Sequence, residues 1–514
     1  MRRIALLGVV GAVLVLVGGS WYQALATPPY RYIDEQAHVG YVIAVQEGRL
    51  PTIDTPIDAA HGGAALRERL ATEPPRRGDI WVANNPPMPY LIAAIPGAAT
   101  RALGLPGGPL LGLRLVNVLA TAGAIALTYL LGRDLAGGDR SVGLATAALM
   151  ALLPHVGFVA AKGFNDGLAL LATTGVLWSL TRTLTPPPRG AVPAVDLHAP
   201  SADGSELLRS FAILGLWVAA AAATRPMALV MAVAAVAVAL ALTWRRVHVV
   251  RASIRALGPT VVLAGWFYAL NVVRYGDPTG SKALLHKFFR QPSGNVISKL
   301  RDNTIWESAF RFITTRRSDA PLATDPVLWF RVAEVITVAG IAATIVMVTS
   351  NRSTRWADRL PSKVTARSTG LDPRTWAGLA AVSVVPILLT AQHASAGGNP
   401  HPRYLLPTMP AVAAAVALPL VRLLGRIAAA VLLVGLAALT AFQTRASIHD
   451  LYAHPSGPAG SPLVTAYGTQ LVRGLGPLVA MIGLGLVLVA LRELPTTPTP
   501  SSAGATAPTA FDEP

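Results

Sequence analysis

Long apolar runs recur along almost the whole chain, from residue 4 to residue 491, and they restrict the fold more than any other feature. An α-helix needs about 20 mostly apolar residues to cross the hydrocarbon core of a bilayer. Within that core, helices satisfy their own backbone hydrogen bonds. The pattern therefore predicts an all-α, polytopic transmembrane helical bundle. We expect about twelve spans, at 4–26, 111–132, 141–161, 167–183, 208–224, 226–243, 256–273, 328–349, 375–392, 404–422, 427–444 and 471–491.

The charge balance also fits a membrane protein. The 514 residues are 53% hydrophobic and only 13% charged, with a formal net charge of +17. In a soluble protein such a charge would indicate nucleic acid. Here the arginines cluster between apolar runs, where they orient helices and contact anionic lipids. We therefore expect membrane lipids, and no nucleic acid, as partners. The absence of cysteine excludes disulfides and thiolate metal sites.

The basic loops predict the orientation of the bundle. The segment 87–104 is moderately apolar, and counting it as a span would invert every later segment. If this segment lies at the interface, loops 244–255 and 351–368 fall on the same side as the "MRR" start. The positive-inside rule favours that arrangement. We expect a multi-pass protein of the cell membrane with both termini in the cytoplasm.

This orientation divides the chain into one membrane domain, 1–495, and a disordered cytoplasmic tail, 496–514. Two large external segments result, at about 27–110 and 274–327. The first apolar run could also be a signal peptide that ends in "ALA" at 24–26. An uncleaved anchor is favoured because many spans follow.

Two acidic residues and a histidine follow the first span in "YIDEQAH". In a helix, Asp34 and His38 share a face, whereas Asp34 and Glu35 diverge. A partly desolvated carboxylate has a raised proton affinity and could act as a general base. The alternative is that Asp34 and Glu35 only cap an interfacial helix.

Two amide-containing motifs belong to the same predicted side. In "NNPPMPYL", the two prolines after Asn85 force an extended turn before an apolar segment. In "FNDGLALL", Asn165 or Asp166 is a suitable N-cap for the helix that follows. Each motif has this structural explanation beside any role in a site.

Basic residues occur in the later external segments. The stretch "NVVRYGDPTGSKALLHKFFRQ" predicts an amphipathic interfacial helix with a basic face that includes Lys282, just after Arg274. It could lie on anionic lipid or hold a lipid phosphate. Arg403 lies at the external mouth of the tenth predicted span and either snorkels to the interface or acts as a phosphate clamp. Carboxylates in one loop and cations in others suit a site that deprotonates a hydroxyl and stabilises a departing phosphate.

The order of these motifs resembles that of the GT-C type membrane glycosyltransferases, such as the protein mannosyltransferases and the lipid A aminoarabinose transferases. The resemblance is carried by the Asp-Glu pair with its histidine, "NNPPMPYL", "RLVNVLA", "FNDGLALL" and "PRYLLPTMP". It implies transfer of a sugar from a polyprenyl-phosphate donor to a glycan, lipid or protein acceptor on the external face. It departs from many relatives in having Asn85 where they have His or Lys before the double proline.

The resemblance also implies roles for particular residues. Asp34 would be the catalytic base, with Glu35 assisting. Arg403 would bind the donor phosphate, with Arg274 and Lys282 as further candidates. The supporting residues of the external site would be His38, Asn165, Asp166, Asn85 and Tyr404.

Other functions and a metal stay open at this stage. No metal is predicted, although a divalent cation could bind if Asp34, Glu35, Asp166 and His38 converge. A transporter or lipid flippase is the main alternative; a non-catalytic scaffold is another. Transporters often have internal repeats and charges near the bilayer midplane, and neither is evident here. Convergence of Asp34, Asp166 and Arg403 on one cavity would favour the enzyme, whereas scattering would favour the scaffold.

Overall fold

The fold is known from a computed structural model that describes most of the chain. The described residues are 2–30, 34–58, 60–72, 77–185, 202–303, 305–306, 327–350, 370–453 and 469–494. The predicted basic loop 351–368 and the predicted tail 496–514 lie outside the described residues.

The described residues form helices and no β-strand, which confirms the all-α prediction. The first half contains α1 (Arg2–Ala26), α2 (Glu35–Gln46), α3 (Gly63–Thr72), α4 (Met88–Ala102), α5 (Gly108–Leu135), α6 (Arg140–Leu152), α7 (Pro154–Ala160), α8 (Asp166–Leu184), α9 (Ala202–Ala222) and α10 (Pro226–Thr243). The second half contains α11 (Val249–Thr260), α12 (Trp266–Tyr275), α13 (Ser281–Lys287), α14 (Val296–Leu300), α15 (Val327–Ser350), α16 (Pro373–Ser395), α17 (Met409–Pro419), α18 (Gly425–Ala453) and α19 (Thr469–Glu493).

Helices cover all twelve predicted segments, but fewer than twelve helices are long and apolar enough to cross a membrane. Among the described residues, eight helices or helical runs are long and apolar enough to cross a membrane. The pair α6 and α7, bent by 64°, would be a ninth. One of the eight is a run of 44 residues over Pro402–Arg445, which would extend about 66 Å and so corresponds to two predicted segments. The polytopic bundle is confirmed, and the count of twelve stays a prediction.

The ambiguous segment 87–104 forms the short helix α4. Its 15 residues are fewer than the roughly 20 that a perpendicular span requires, and Pro96 lies inside it. Leu91 and Ile95 are exposed on its outer side, whereas Tyr90 and Ala93 are buried. A short helix with one apolar exposed face suits an interfacial position.

The first and last helices pack closely along glycines. A Cβ atom added to Gly11 would lie 2.6 Å from the carbonyl oxygen of Gly483, and one added to Gly18 would lie 2.5 Å from that of Gly476. Small residues allow two membrane helices to approach at backbone distance. In this structure, α1 is therefore a packed member of the bundle.

Replacement of Gly18 by Ala should destabilise the bundle because the new methyl group collides with the backbone of α19. Gly19→Ala is the matched control, since a Cβ atom there meets nothing within 4 Å. We expect Gly18→Ala to lower the free energy of unfolding by about 1–3 kcal/mol. Gly19→Ala should leave it unchanged or raise it by up to about 1 kcal/mol. Unfolding in mixed micelles measures both, and equal effects would contradict this packing.

Candidate active site

Four charged side chains from distant parts of the chain meet in one ion-pair cluster. Asp34 immediately precedes α2, and Asp166 is the first residue of α8. Arg225 occupies the break between α9 and α10, where Pro226 follows and the backbone is extended. Arg403 lies in the 3₁₀ turn Pro402–Thr408, whose start is capped by His401 Nδ1 accepting from the Arg403 amide at 3.3 Å.

The contacts within the cluster alternate in charge. Arg403 Nη2 donates to Asp34 Oδ2. Arg403 Nη1 lies 3.9 Å from Asp166 Oδ2, and Arg225 Nη1 donates to Asp166 Oδ1. Two carboxylates and two guanidinium groups therefore balance one another in a largely buried place. The side chains of Asp34 and Arg403 are 18% and 12% exposed, so a ligand can reach this pair.

Aromatic rings line the two arginines. The Arg403 Cζ atom lies 5.1 Å from the Phe164 ring centroid and 5.6 Å from that of Tyr404. The Arg225 Cζ atom lies 5.7 Å from the same Tyr404 ring. Such cation–π contacts fix the positions of guanidinium groups while leaving some of their N–H donors available.

His38 is present at the site in its neutral form. Its Nδ1 atom lies 2.9 Å from the Tyr90 hydroxyl, and its ring also packs against Phe164. Burial lowers the pKa of His38 to about 3, despite the opposing influence of Asp34. At neutral pH the histidine therefore supports the site by packing and hydrogen bonding rather than by charge.

The expected rise in the proton affinity of Asp34 is wrong for this arrangement. Burial acts to raise the pKa of Asp34, but the charge and the hydrogen bond of the Arg403 guanidinium outweigh burial and lower the pKa. The sequence indicates that Asp34 is partly desolvated, but it does not show that Arg403, 369 residues away, becomes its partner. In this arrangement Asp34 is a carboxylate held by an arginine and is a weaker base than a free aspartate.

Glu35 lies apart from this cluster in a buried ion pair with Arg114. Arg114 Nε and Nη2 donate to the two Glu35 carboxylate oxygens at 3.0 and 2.8 Å, and both side chains are 0% exposed. The Gly163 amide also donates to Glu35 Oε1, at 2.8 Å. Since both oxygens are occupied and shielded from solvent, the predicted assisting role is replaced by a structural one.

Arg114 and Asn117 are structural residues that sequence reasoning did not single out. Arg114 Nη1 also donates to the carbonyls of Ala24 at 2.5 Å and Thr27 at 3.1 Å. Asn117 donates to the Val159 carbonyl at 2.7 Å and accepts from the Gly167 amide at 2.5 Å. Both belong to the quoted motif "RLVNVLA", so the signal was a pair of polar residues inside an apolar run.

The two predicted amide residues also have structural contacts. Asn165 is the N-cap residue of α8, but its side chain donates to the Thr224 carbonyl at 3.1 Å instead of capping. That bond ties the start of α8 to the segment that carries Arg225. The Asn85 side chain donates to the Val82 carbonyl at 3.0 Å, within its own turn.

Arg274 and Lys282 line a separate cleft of about 760 Å³. Arg274 donates to the carbonyls of Pro51 and Leu50 at 3.0 and 3.4 Å, while Lys282 is exposed. Lys287 joins the two walls by pairing with Asp54 at 2.8 Å and Asp79 at 2.6 Å. The structure therefore does not bring these two predicted cations together with Arg403 in one pocket.

The four residues considered for a divalent cation do not form a ligand set. Glu35 pairs with Arg114, and arginines occupy Asp34 and Asp166. Among the described residues, one group of three has ligand atoms close enough to share a metal ion. It consists of the exposed residues Glu47, Asp58 and His61. None of these belongs to the predicted site.

Convergence of Asp34, Asp166 and Arg403 distinguishes between the alternatives raised by the sequence. Arg403 contacts Asp34 directly and lies 3.9 Å from Asp166, and Asp166, Arg403 and Tyr404 line a small cavity of about 20 Å³. This arrangement favours an enzyme over a scaffold whose charges only cap helices. Chemically, it offers a carboxylate beside a phosphate-binding guanidinium.

The structural neighbours of the chain are GT-C fold membrane glycosyltransferases, the class that its motifs resemble. One is the crystal structure of ArnT from Cupriavidus metallidurans bound to undecaprenyl phosphate. It is 15% identical, with 95% of this chain and 76% of ArnT covered and a TM-score of 0.45. Another is AglB of Archaeoglobus fulgidus with an inhibitory peptide and a dolichol-phosphate. It is 12% identical, with 94% of this chain and 55% of AglB covered and a TM-score of 0.40.

No protein-family model and no curated protein matches the chain.

Disruption of the Glu35–Arg114 pair should destabilise the protein strongly because it leaves a buried charge without a partner. We expect Arg114→Met to lower the free energy of unfolding by about 3–5 kcal/mol. Arg49→Met is the control, since the Arg49–Glu47 pair has side chains 50% and 23% exposed, and its loss should cost less than about 1 kcal/mol. The measurement is unfolding in mixed micelles. A similar cost for both variants would show that burial does not distinguish the two pairs.

Proposed function

We propose that this chain is a membrane glycosyltransferase that moves a sugar from a polyprenyl-phosphate-linked donor to a hydroxyl group of an acceptor. The observation that supports this proposal is the direct contact between Asp34 and Arg403. It combines a proton acceptor and a permanently charged phosphate ligand, the two groups that such a reaction requires. The donor class comes from the resemblance of the motifs, and the acceptor is a glycan, a lipid or a protein.

The proposed reaction is a direct displacement with inversion. The acceptor hydroxyl gives its proton to Asp34 while its oxygen attacks the anomeric carbon. The bond between that carbon and the phosphate oxygen breaks, and its electron pair leaves with the lipid phosphate. Arg403 stabilises the charge of the leaving group. We assign this chemistry to the extracytoplasmic side, which the positive-inside rule favours for the predicted basic loops.

Arg403 is the proposed ligand of the carrier phosphate among the three predicted cations. It contacts the proposed base, whereas Arg274 and Lys282 line the separate cleft. Arg274 already donates to two backbone carbonyls, so Lys282 is the better placed of the two for a ligand in that cleft. We assign the cleft to another part of the substrates and not to the reacting phosphate.

Replacement of Asp34 by Asn should abolish sugar transfer because the amide cannot accept the proton. The experiment supplies radiolabelled polyprenyl-phosphate sugars to protein reconstituted in liposomes, with acceptor lipids, glycans and proteins present. The control variant is Asp58→Asn, which removes an exposed carboxylate outside the cluster and should retain transfer. We expect a loss of at least about 100-fold for Asp34→Asn.

Three outcomes of this assay separate the alternatives. Equal transfer by wild type and Asp34→Asn would remove Asp34 from the mechanism. No transfer by wild type with any donor would contradict the enzyme proposal. In that case, movement of the labelled lipid between leaflets would favour the flippase.

A further inference from the structure

We propose that Arg225 and Arg403 form a two-arginine clamp for the carrier phosphate, and that Asp34 and Asp166 occupy this clamp until the phosphate replaces them. The inference rests on the proposed function and deepens it in two respects. It adds Arg225 to the phosphate site, and it makes occupation of that site a condition for the release of the base.

The first support is the way in which both arginines share one carboxylate. Arg225 contacts Asp166 Oδ1, and Arg403 lies 3.9 Å from Asp166 Oδ2. Two guanidinium groups that reach the two oxygens of one carboxylate are also spaced to reach two oxygens of one phosphate. Both guanidinium groups also contact the ring of Tyr404, so they lie close to each other. A phosphate between them would receive donors from two sides.

The second support is unused hydrogen-bonding capacity inside the cluster. Within the described part of the chain, the buried Nε atom of Arg403 and the buried Oδ2 atom of Asp166 have no hydrogen-bond partner. Asp166 is only 3% exposed, so the unpaired oxygen carries a desolvation cost. The internal carboxylates therefore satisfy the arginines incompletely. An anion with more acceptor oxygens could also accept a hydrogen bond from the Arg403 Nε–H group.

The third support is the small size of the cavity beside Asp166. This cavity, lined by Asp166, Arg225, Arg403 and Tyr404, measures about 20 Å³, which is room for about one water molecule. A phosphate that binds between the two arginines there must therefore displace a carboxylate instead of adding to the cluster. The side chain of Asp34 is 18% exposed, whereas that of Asp166 is 2% exposed, so the Asp34–Arg403 contact is the first to be exchanged.

This exchange has a consequence for the order of events. While Arg403 holds Asp34, it lowers the pKa of that carboxylate and makes it a poor proton acceptor. Once the phosphate takes Arg403, Asp34 regains proton affinity beside the anomeric carbon. The donor must then bind before the acceptor hydroxyl is activated, which protects the base from unproductive protonation between turnovers.

The test is the affinity of purified protein in nanodiscs for undecaprenyl phosphate, with undecaprenol as the uncharged probe. Asp34→Asn should bind the phosphate about tenfold more tightly than wild type, because Arg403 has lost its competing carboxylate. The double variant Asp34→Asn with Arg403→Gln should not show this gain. Asp166→Asn is a second route to the same release and should also tighten binding.

Arg225→Gln should weaken binding of undecaprenyl phosphate by about tenfold or more, without changing the affinity for undecaprenol. Its control is Arg182→Gln, since Arg182 also lies against an aromatic ring, that of Trp178, but at the other end of α8. Equal affinities of these two variants would overturn the clamp. Unchanged or weaker binding by both folded aspartate variants would overturn the exchange.

These results separate this inference from the proposed function. If no form of the protein binds undecaprenyl phosphate, the proposed donor class is overturned together with the clamp. If wild type binds the phosphate and transfers sugar, but Asp34→Asn binds no more tightly, only the exchange is overturned. Transfer and binding are measured independently, so neither result substitutes for the other.

Discussion

The buried ion pair between Glu35 and Arg114 is the interaction on which the site depends. It joins the start of α2 to α5, and its further hydrogen bonds reach the end of α1 and the loop before α8. Neighbouring residues at a helix start point in different directions, so fixing Glu35 inward also fixes where Asp34 can point. An uncompensated charge at this depth would be too costly to retain, which makes the pairing obligatory rather than incidental. The site thus derives its rigidity from the residue beside the proposed base.

Much of the architecture follows from the sequence because apolar periodicity and length are local properties. Helices cover all twelve predicted segments, and the short helix α4 occurs where the sequence was ambiguous. The number of spans is harder to predict. The 44-residue helical run counts as one span or as two, depending on whether the break near Gly425 separates two spans. Local signals define which segments are helical more firmly than how many times they cross.

The site was predictable only in part, because ion pairing is not local. The motifs identified Asp34, Asp166 and Arg403, and these three meet. Charge alone could not separate Arg403 from Arg274, whose donors are used by backbone carbonyls. Nor could it find Arg225, because an arginine before a proline between two apolar runs looks like an ordinary helix boundary. The lowered pKa of Asp34 was missed for the same reason: its cause is a partner brought near by folding.

The glycine contact between α1 and α19 also bears on how the bundle is assembled during synthesis. Of the described helices, α1 leaves the ribosome first, and α19, the helix it packs against at backbone distance, leaves last. Until then the small-residue face of α1 has only lipid or a temporary protein partner beside it. Contacts between such remote segments form late, and they delay completion of the fold. The interface between α1 and α19 can therefore form only after α19 has been synthesised.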